Sequence, residues 1–273
     1  MRKIYSLFVA PLLVIALLMS ACGVVAPAPK TLTVFAAASL TDAFNEIGKS
    51  FEAANPGVTV KFNFGGSQTL RTQIEQGAQA DVFASANAKE MDALVADNAS
   101  INSAQRLVDA NSAKIFLTNR LVVIMPAKNP AGLRALADLS KPGLKLVLAA
   151  KEVPAGNYAL QALDKLDKAL GTGFKDKLLA NVVSYENDVK QVVAKVQLGE
   201  ADAGIVYVSD SVAAPELQKI DIPAEDNVIA QYPIAALSQS PNADLAQAFI
   251  AYVLSPQGQA ILQKWGFLPA QHP

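Results

Sequence analysis

The stretch LTVFAAASLTDAFNEIGKSF, residues 32–51, sets the fold class of this chain. It begins with four β-favouring residues, LTVF, which predict a short strand. Apolar residues then recur at positions 40, 43, 44, 47 and 51, which is the spacing of one face of a helix. Ser39 lies between the two patterns. Because its spacing to Asp42 is that of a capping box, we expect Ser39 to open the helix.

The same alternation of strand and helix continues along the rest of the chain. Apolar or alternating runs predict strands at 58–64, 81–84, 120–125, 144–149, 204–207 and 232–237. Apolar residues at helical spacing predict helices at 68–75, from 154, from 188, and over the C-terminal region to 265. Strands interleaved with helices predict an α/β architecture with mainly parallel sheets.

Composition and charge argue against several classes of function. The chain has 273 residues, enough for one large domain or two moderate ones. It carries 23 Lys and Arg against 24 Asp and Glu, so no excess of cations exists to neutralise the phosphates of a nucleic acid. His272 is the only histidine, which argues against a Ser-His-Asp triad, a histidine base and a multi-histidine metal site. We therefore expect no enzyme activity, no cofactor and no direct protein–metal ligands.

The N-terminal residues have the features of an export signal. Two basic residues precede an apolar run at 4–19, which is short for a membrane-spanning helix and close to a signal-peptide core in length. The run leads into Leu18-Met19-Ser20-Ala21-Cys22, which resembles a bacterial lipobox with Met where Leu is usual. Cys22, the only cysteine, would then be lipidated. The alternative is an ordinary signal peptide cleaved near Ala21, which would leave a periplasmic protein.

Processing of this signal changes the charge of the mature chain. Residues 1–21 form the expected lipoprotein-type signal peptide, and residues 22–30, rich in Ala and Pro, form the expected tether. Removal of Arg2 and Lys3 takes the net charge from −1 to −3. An anionic ligand therefore gains nothing from the overall field of the protein, and local dipoles would have to bind it.

Five junctions between strands and helices combine small residues with exposed backbone N–H groups. The first N–H groups of a helix lack partners within the helix, and together with the helix dipole they form an anion site that needs no cationic side chain. In open α/β sheets such junctions fall where ligands bind, outside the carboxyl ends of the strands. The junctions are Ala38-Ser39, Gly66-Ser67, Ser85-Ala86, Pro154-Ala155-Gly156 and Asp188-Val189.

Five sequence blocks, four of them around these junctions, resemble the signature set of the periplasmic molybdate-binding proteins, the substrate-binding components of molybdate ABC importers. Each block is weak by itself, but five occur in order between about residue 31 and residue 267. The blocks are FAAASLT at 35–41, FGGSQTL at 64–70, ADVFASA at 80–86, VPAGNY at 153–158 and GIVY at 204–207.

The resemblance implies a set of molybdate ligands. Ser39 and Ser67 would donate through hydroxyl and backbone N–H groups. Ala86, Ala155 and Val189 would donate through backbone N–H groups alone, and Tyr207 through its phenolic hydroxyl. The chain departs from common members of the family by Gly65-Gly66, where Ala or Ser is frequent, and by Gln68 after the binding serine. These changes touch loop geometry and the rim of the site.

Each residue also has an interpretation without a ligand. Ser39 and Ser67 have the positions of helix caps, and Tyr207 at the end of an apolar strand is typical of a core aromatic. Arg71 could pair with an anion, although its position is typical of a solvated helix face. Cap or turn roles suffice for the carboxylates Asp42, Asp81 and Asp188.

The resemblance further implies a type II periplasmic-binding-protein fold, with two α/β lobes and a ligand cleft between them. From the strand pattern, lobe 1 comprises 31–112 and 229–273, and lobe 2 comprises 113–228. The chain would cross between lobes near 120–125 and again near 232–237. Ser39, Ser67 and Ala86 then belong to lobe 1, and the other three ligand residues belong to lobe 2.

The expected function is capture of molybdate, and of tungstate, by a monomeric protein outside the cytoplasm that is lipid-anchored to the cell membrane. The expected partners are an ABC permease and its ATPase, and no nucleic acid. Another tetrahedral oxyanion, such as sulfate or phosphate, is the alternative ligand. Amino-acid sites normally need an Arg and an Asp in the cleft, and sugar sites need stacked aromatics. Only 7% of residues are aromatic, and none clusters at the five junctions.

Overall fold

A computed structural model describes residues 30–95, 107–109 and 111–270 of the chain. The expected signal peptide, Cys22, nearly all of the expected tether at 22–30, and His272 lie outside the described residues. Lys30, expected to end the tether, is instead the first residue of a strand.

Strands and helices alternate along the described chain. The first part forms β1 (Lys30–Ala37), α1 (Thr41–Ala54), β2 (Val58–Gly65), α2 (Ser67–Glu75), β3 (Val82–Ala84), α3 (Ala88–Val95) and β4 (Lys114–Asn119). The second part forms β5 (Leu121–Met125), β6 (Leu146–Ala149), α4 (Pro154–Leu170), α5 (Phe174–Ala180), β7 (Val182–Glu186), α6 (Val189–Gln197), β8 (Ala203–Tyr207), α7 (Val208–Ala213) and β9 (Gln218–Asp221). The last part forms β10 (Ala230–Ala236), α8 (Ala243–Leu254), α9 (Pro256–Lys264) and β11 (Leu268–Pro269).

Two sheets divide the described chain into the two expected α/β lobes. The six-stranded sheet of the first lobe has the order β11-β4-β10-β3-β1-β2, and the five-stranded sheet of the second has the order β7-β6-β8-β5-β9. The chain passes from the first sheet to the second between β4 and β5, and it returns between β9 and β10. The α/β, two-lobed fold class expected from the sequence is thus confirmed.

Two details of the expected architecture are corrected. The expected lobe boundary at 112/113 falls before β4, which pairs with β10 in the first sheet, so the first lobe extends to Asn119. The sheets are mixed rather than mainly parallel. The strands around β1 and β6 are parallel, whereas β4, β5 and β10 run antiparallel to their neighbours. Alternation of strands and helices along the sequence does not reveal the direction in which each strand runs in its sheet.

Helix α1 shows how the sequence pattern positions the site. Its predicted apolar face is buried, with Phe44 and Ile47 fully inaccessible to solvent. Phe44 packs against the rings of Phe116 and Phe249 at centroid distances of 5.9 and 6.1 Å. Burying side chains of this size contributes about 1.5–3 kcal/mol each. The start of α1 is therefore held firmly against the sheet, and the turn that precedes it is held with it.

Among the described residues, no helix is both long and apolar enough to cross a membrane.

Candidate oxyanion-binding site

A cleft between the two lobes contains all six residues that the sequence predicts as ligands. It encloses about 210 Å³ of free space, including its open mouth. Ser39, Ser67 and Ala86 line it from the first lobe. From the second lobe come Ala155, Val189 and Tyr207. Seven further residues complete the lining, namely Ala37, Ala38, Gly65, Gly66, Val153, Pro154 and Asp188.

Ser39 lies in a short 3-10 turn, Ala38–Leu40, between β1 and α1. The prediction that it caps the helix is wrong, because α1 begins at Thr41 and its N-terminus has no side-chain cap. The Ser39 hydroxyl instead shares a hydrogen bond of 2.9 Å with the hydroxyl of Tyr232. Burial raises the pKa of Tyr232, so its hydroxyl stays neutral. Ser39 is therefore fixed by a buried phenol from β10.

Ser67 is the first residue of α2, and Gly66 rather than Ser67 occupies the cap position. The Ser67 Oγ accepts a hydrogen bond of 3.0 Å from the backbone N–H of Ala86. Because the oxygen is the acceptor in this bond, its hydroxyl hydrogen stays available as a donor. In this structure the Ala86 N–H thus orients Ser67, in addition to lining the cleft.

The second lobe presents two helix N-termini to the cleft. Pro154 and Ala155 begin α4, and Val189 begins α6. Asp188 caps α6 by accepting a hydrogen bond of 3.1 Å from the N–H of Gln191, as the sequence suggested. The first N–H groups of each helix have no acceptor within the helix. Ala155 and Val189 therefore place backbone donors and the positive ends of two helix dipoles at the same cleft.

Tyr207 ends β8 and is 99% buried. Because a core aromatic and a ligand donor can be equally buried, the hydrogen bonding of its hydroxyl has to distinguish the two roles. Its hydroxyl has no hydrogen-bond partner among the described residues. Burial raises the pKa of Tyr207 well above its ordinary value, so the hydroxyl keeps its proton. A buried phenol without a partner costs free energy unless a ligand satisfies it. Its position in the cleft lining gives it access to such a ligand.

The cleft offers neutral donors and no cation. Of the residues that line it, only Asp188 carries a formal charge, and its carboxylate is engaged as a helix cap. Within the described part of the chain, no cluster of three or more His, Cys, Asp or Glu side chains could hold a metal ion. Arg71, considered from sequence as an anion partner, instead pairs with Glu75 and Glu90 and does not line the cleft.

Two sets of contacts beside the cleft were missed from the sequence. Lys190 follows Val189 and pairs with Asp42 of the first lobe at 2.6 Å. Gln68 donates to the carbonyl oxygen of Asn187 at 3.0 Å, again across the cleft. Asp42 was assigned a cap or turn role, and Gln68 was noted only as a rim residue. Partners so distant along the chain leave no signal in a single sequence.

The chain is similar in sequence to known bacterial solute-binding proteins. A family model described as bacterial extracellular solute-binding protein matches residues 32–268. The molybdate-binding protein ModA of Mycobacterium tuberculosis is 39% identical over 257 residues, covering 90% of this chain and 91% of the relative. The ABC transporter substrate-binding lipoprotein YvgL of Bacillus subtilis is 31% identical over 274 residues, covering 98% and 99%.

The fold is also found in solved structures. The sulfate-binding protein SubI of Mycobacterium tuberculosis superposes with a TM-score of 0.77 at 20% identity, covering 89% of this chain and 88% of that one. Identity at this level shows a shared fold alone. Since folds of this kind bind different solutes, the residues of the site must identify the ligand.

Proposed function

The chain belongs to the bacterial extracellular solute-binding proteins, among the molybdate-binding members of that family, and from this premise we propose that it captures molybdate or tungstate and delivers it to an ABC importer. The observation that carries the proposal is the cleft itself. Donors from two serines, one tyrosine and several backbone N–H groups converge there, and no cationic side chain lines it.

The chemistry of this donor set favours an anion that only accepts hydrogen bonds. Molybdate is a tetrahedral dianion that carries no proton at neutral pH. Hydrogen phosphate would bring a proton for which the neutral donors offer no acceptor. Hydrogen bonds to a charged group contribute about 1.5–3 kcal/mol each. Roughly six to eight of them would offset the desolvation of the dianion and the cost of association, leaving a Kd between micromolar and nanomolar.

Binding without turnover is the activity that the lining residues support best. A nucleophilic enzyme needs a base within hydrogen-bond reach of its nucleophile. Ser39 instead faces a neutral phenol, and Ser67 faces a backbone N–H. Because both lobes supply donors, an anion held between them would favour the closed cleft, and the permease and its ATPase could detect occupancy through closure. We also propose a monomer, since all six predicted ligand residues of one chain meet in one cleft.

Isothermal titration of the mature protein with four oxyanions tests the proposed function. We expect molybdate and tungstate to bind with a Kd between micromolar and nanomolar, and sulfate to bind more than about 100-fold more weakly. Phosphate should bind weakly because its protonated form leaves an unmatched donor. Sulfate binding that equals or exceeds molybdate binding would assign the protein to the alternative ligand class.

We also propose that a lipid on Cys22 anchors the protein to the outer face of the cell membrane. The only cysteine lies at the lipobox position, and an Ala- and Pro-rich stretch follows it. YvgL, the Bacillus relative, is itself named as a lipoprotein. In cells, Cys22→Ala should move the protein from the membrane fraction to the soluble or culture fraction, as measured by immunoblotting. An unchanged distribution would contradict lipidation at Cys22.

A further inference from the structure

One short segment of the second lobe, Asn187–Lys190, is held by the first lobe from two directions. The carbonyl oxygen of Asn187 accepts a hydrogen bond of 3.0 Å from Nε2 of Gln68. Nζ of Lys190 lies 2.6 Å from Oδ2 of Asp42. Gln68, Asp42 and Lys190 do not line the cleft, so these contacts join the lobes directly and not through a bound anion.

The segment is also the part of the second lobe that carries the Val189 donor. Val189 lies between the two contact points and lines the cleft. A backbone N–H binds well only if it is held in place before the ligand arrives. Any shift of 187–190 away from the first lobe therefore moves a donor away from the Ser39 and Ser67 side of the cleft.

Lys190 lies between two carboxylates, one from each lobe. Within its own lobe, Nζ lies 3.5 Å from Oδ1 of Asp210, a fully buried carboxylate of α7. Burial raises the pKa of Asp210 to about 6, although Lys190 opposes the shift. Asp42 belongs to α1 of the other lobe, and its side chain remains 37% exposed. Lys190 thus contacts one carboxylate within its own lobe and a second across the cleft, so a separation of the lobes would break only the second contact.

The Gln68 contact depends on the missing side chain at Gly66. A Cβ atom at position 66 would lie 2.5 Å from the carbonyl oxygen of Asn187 and 2.5 Å from Nε2 of Gln68. Glycine therefore leaves the gap through which the Gln68 amide reaches across the cleft. The pairing of Gly66 with Gln68, noted in the sequence as a departure from common family members, has a structural role.

We propose that Gln68 and the Asp42–Lys190 pair are positioning contacts that hold segment 187–190 against the first lobe, and so set how long a bound oxyanion stays. The proposal rests on the proposed function. It adds to that function a part of the closing mechanism that makes no contact with the ligand.

A matched pair of aspartate variants tests the ion pair. Asp42 and Asp244 each occupy the second position of a first-lobe helix, so Asn at either site removes the same charge from a helix N-terminus. We expect Asp42→Asn to speed dissociation of radiolabelled molybdate about 5- to 20-fold in a chase with unlabelled molybdate. Asp244→Asn should leave the rate unchanged, and the Tm of the two ligand-free variants should match each other, since each loses one acid from a helix N-terminus. Equal dissociation rates for the two variants would overturn the proposal.

The second contact is tested by Gln68→Ala, alone and combined with Asp42→Asn. Loss of one neutral hydrogen bond should speed dissociation about 2- to 10-fold, and the double variant should dissociate faster than either single variant. A lower Tm of the ligand-free variants without faster dissociation would mean that both contacts serve stability alone, and would overturn the proposal.

A ligand-free measurement separates failure of this proposal from failure of the proposed function. Spin labels at Ala53→Cys and Lys168→Cys, in a Cys22→Ala background, report the distance between the lobes. Compared with the labelled parent, the Asp42→Asn/Gln68→Ala variant should show a distance distribution shifted towards open states. Identical distributions would overturn the proposal even if wild type bound no oxyanion. Absent binding by wild type would contradict only the proposed function.

Discussion

Ser67→Asp is expected to abolish oxyanion binding, with a Kd at least about 1,000-fold above that of wild type. The new carboxylate would lie at the first residue of α2, beside the donors that serve the ligand. A unit charge about 4 Å from another costs on the order of 4 kcal/mol at an effective dielectric of about 20. A dianion would experience about twice that repulsion, and every 1.4 kcal/mol is about tenfold in Kd.

This substitution should leave the protein folded. An acidic residue in the first turn of a helix is favourable to the helix dipole, which offsets part of the cost of burying a carboxylate at this 99% buried position, so the ligand-free variant should still show a cooperative unfolding transition. Thr69→Asp is the matched control, since Thr69 is an exposed residue in the same turn of α2 and outside the cleft. It should bind molybdate as wild type does in the same titration.

Ser67→Ala provides the graded comparison for the same position. It removes one hydroxyl donor, which corresponds to about 1.5–3 kcal/mol or about 10- to 150-fold in Kd. Because Gly66 is the cap of α2, this change removes no helix cap, but it leaves the buried N–H of Ala86 without its acceptor, so the free energy of unfolding of the ligand-free protein should fall by about 1–3 kcal/mol. If Ser67→Asp bound molybdate with a Kd within tenfold of that of wild type, Ser67 would not be a ligand residue.

Gly156→Ala is expected to destabilise the protein although Ala is the better helix former. In an exposed helix the change would stabilise by about 1 kcal/mol. Here a Cβ at position 156 would lie 2.1 Å from the carbonyl oxygen of Ala150 and 2.3 Å from that of Ala149. Relieving the overlap requires the start of α4 to move, and overpacking of this kind costs about 1–3 kcal/mol. The free energy of unfolding should therefore fall by about 1–3 kcal/mol in denaturant titrations.

The same movement displaces Ala155, so the Kd for molybdate should rise more than about tenfold. Asn157→Ala, an exposed position in the same turn, is the control and should change stability by less than about 0.5 kcal/mol. A Gly156→Ala variant with wild-type stability and affinity would show that the junction after β6 is loosely packed.

The order of strands and helices could be predicted because local patterns encode it. The apolar faces of α1 and α6 have helical spacing, and the buried runs of β5 and β8 are continuous. Strand β4 was not predicted. It reads KIFLTN, with polar residues at both ends that are accommodated only by its place between β10 and β11. A pattern confined to six residues carries no information about those neighbours.

The residues of the candidate site could be predicted from the sequence, but the contacts among them could not. The five junctions bring five of the six residues to one cleft, and the end of β8 brings Tyr207, because the carboxyl ends of strands meet at one edge of each sheet. The capping box at Ser39 was wrong because Tyr232, 193 residues away, binds the hydroxyl instead. The Asp42–Lys190 pair, 148 residues apart, is equally invisible before the chain is folded.

The topology of the crossings has a consequence for how the molecule assembles. Strand β10 lies between β3 and β4, so the first sheet lacks an interior strand until the chain has returned from the second lobe. The second lobe is encoded in one uninterrupted stretch, whereas the first is encoded in two pieces on either side of it. The lobe in the middle of the gene product is therefore the one that can complete itself first.

Folding of the second lobe lowers the entropic cost of forming the first lobe. Val122, just after the outward crossing, pairs with Asp221, just before the return. Once these strands are paired, β4 and β10 of the first lobe are separated by an effective loop of about ten residues instead of about a hundred. The shorter loop lowers the entropic cost of bringing β4 and β10 together by about 2 kcal/mol. We therefore expect the second lobe, besides forming half of the cleft, to fold first and to bring the two sequence segments of the first lobe close together.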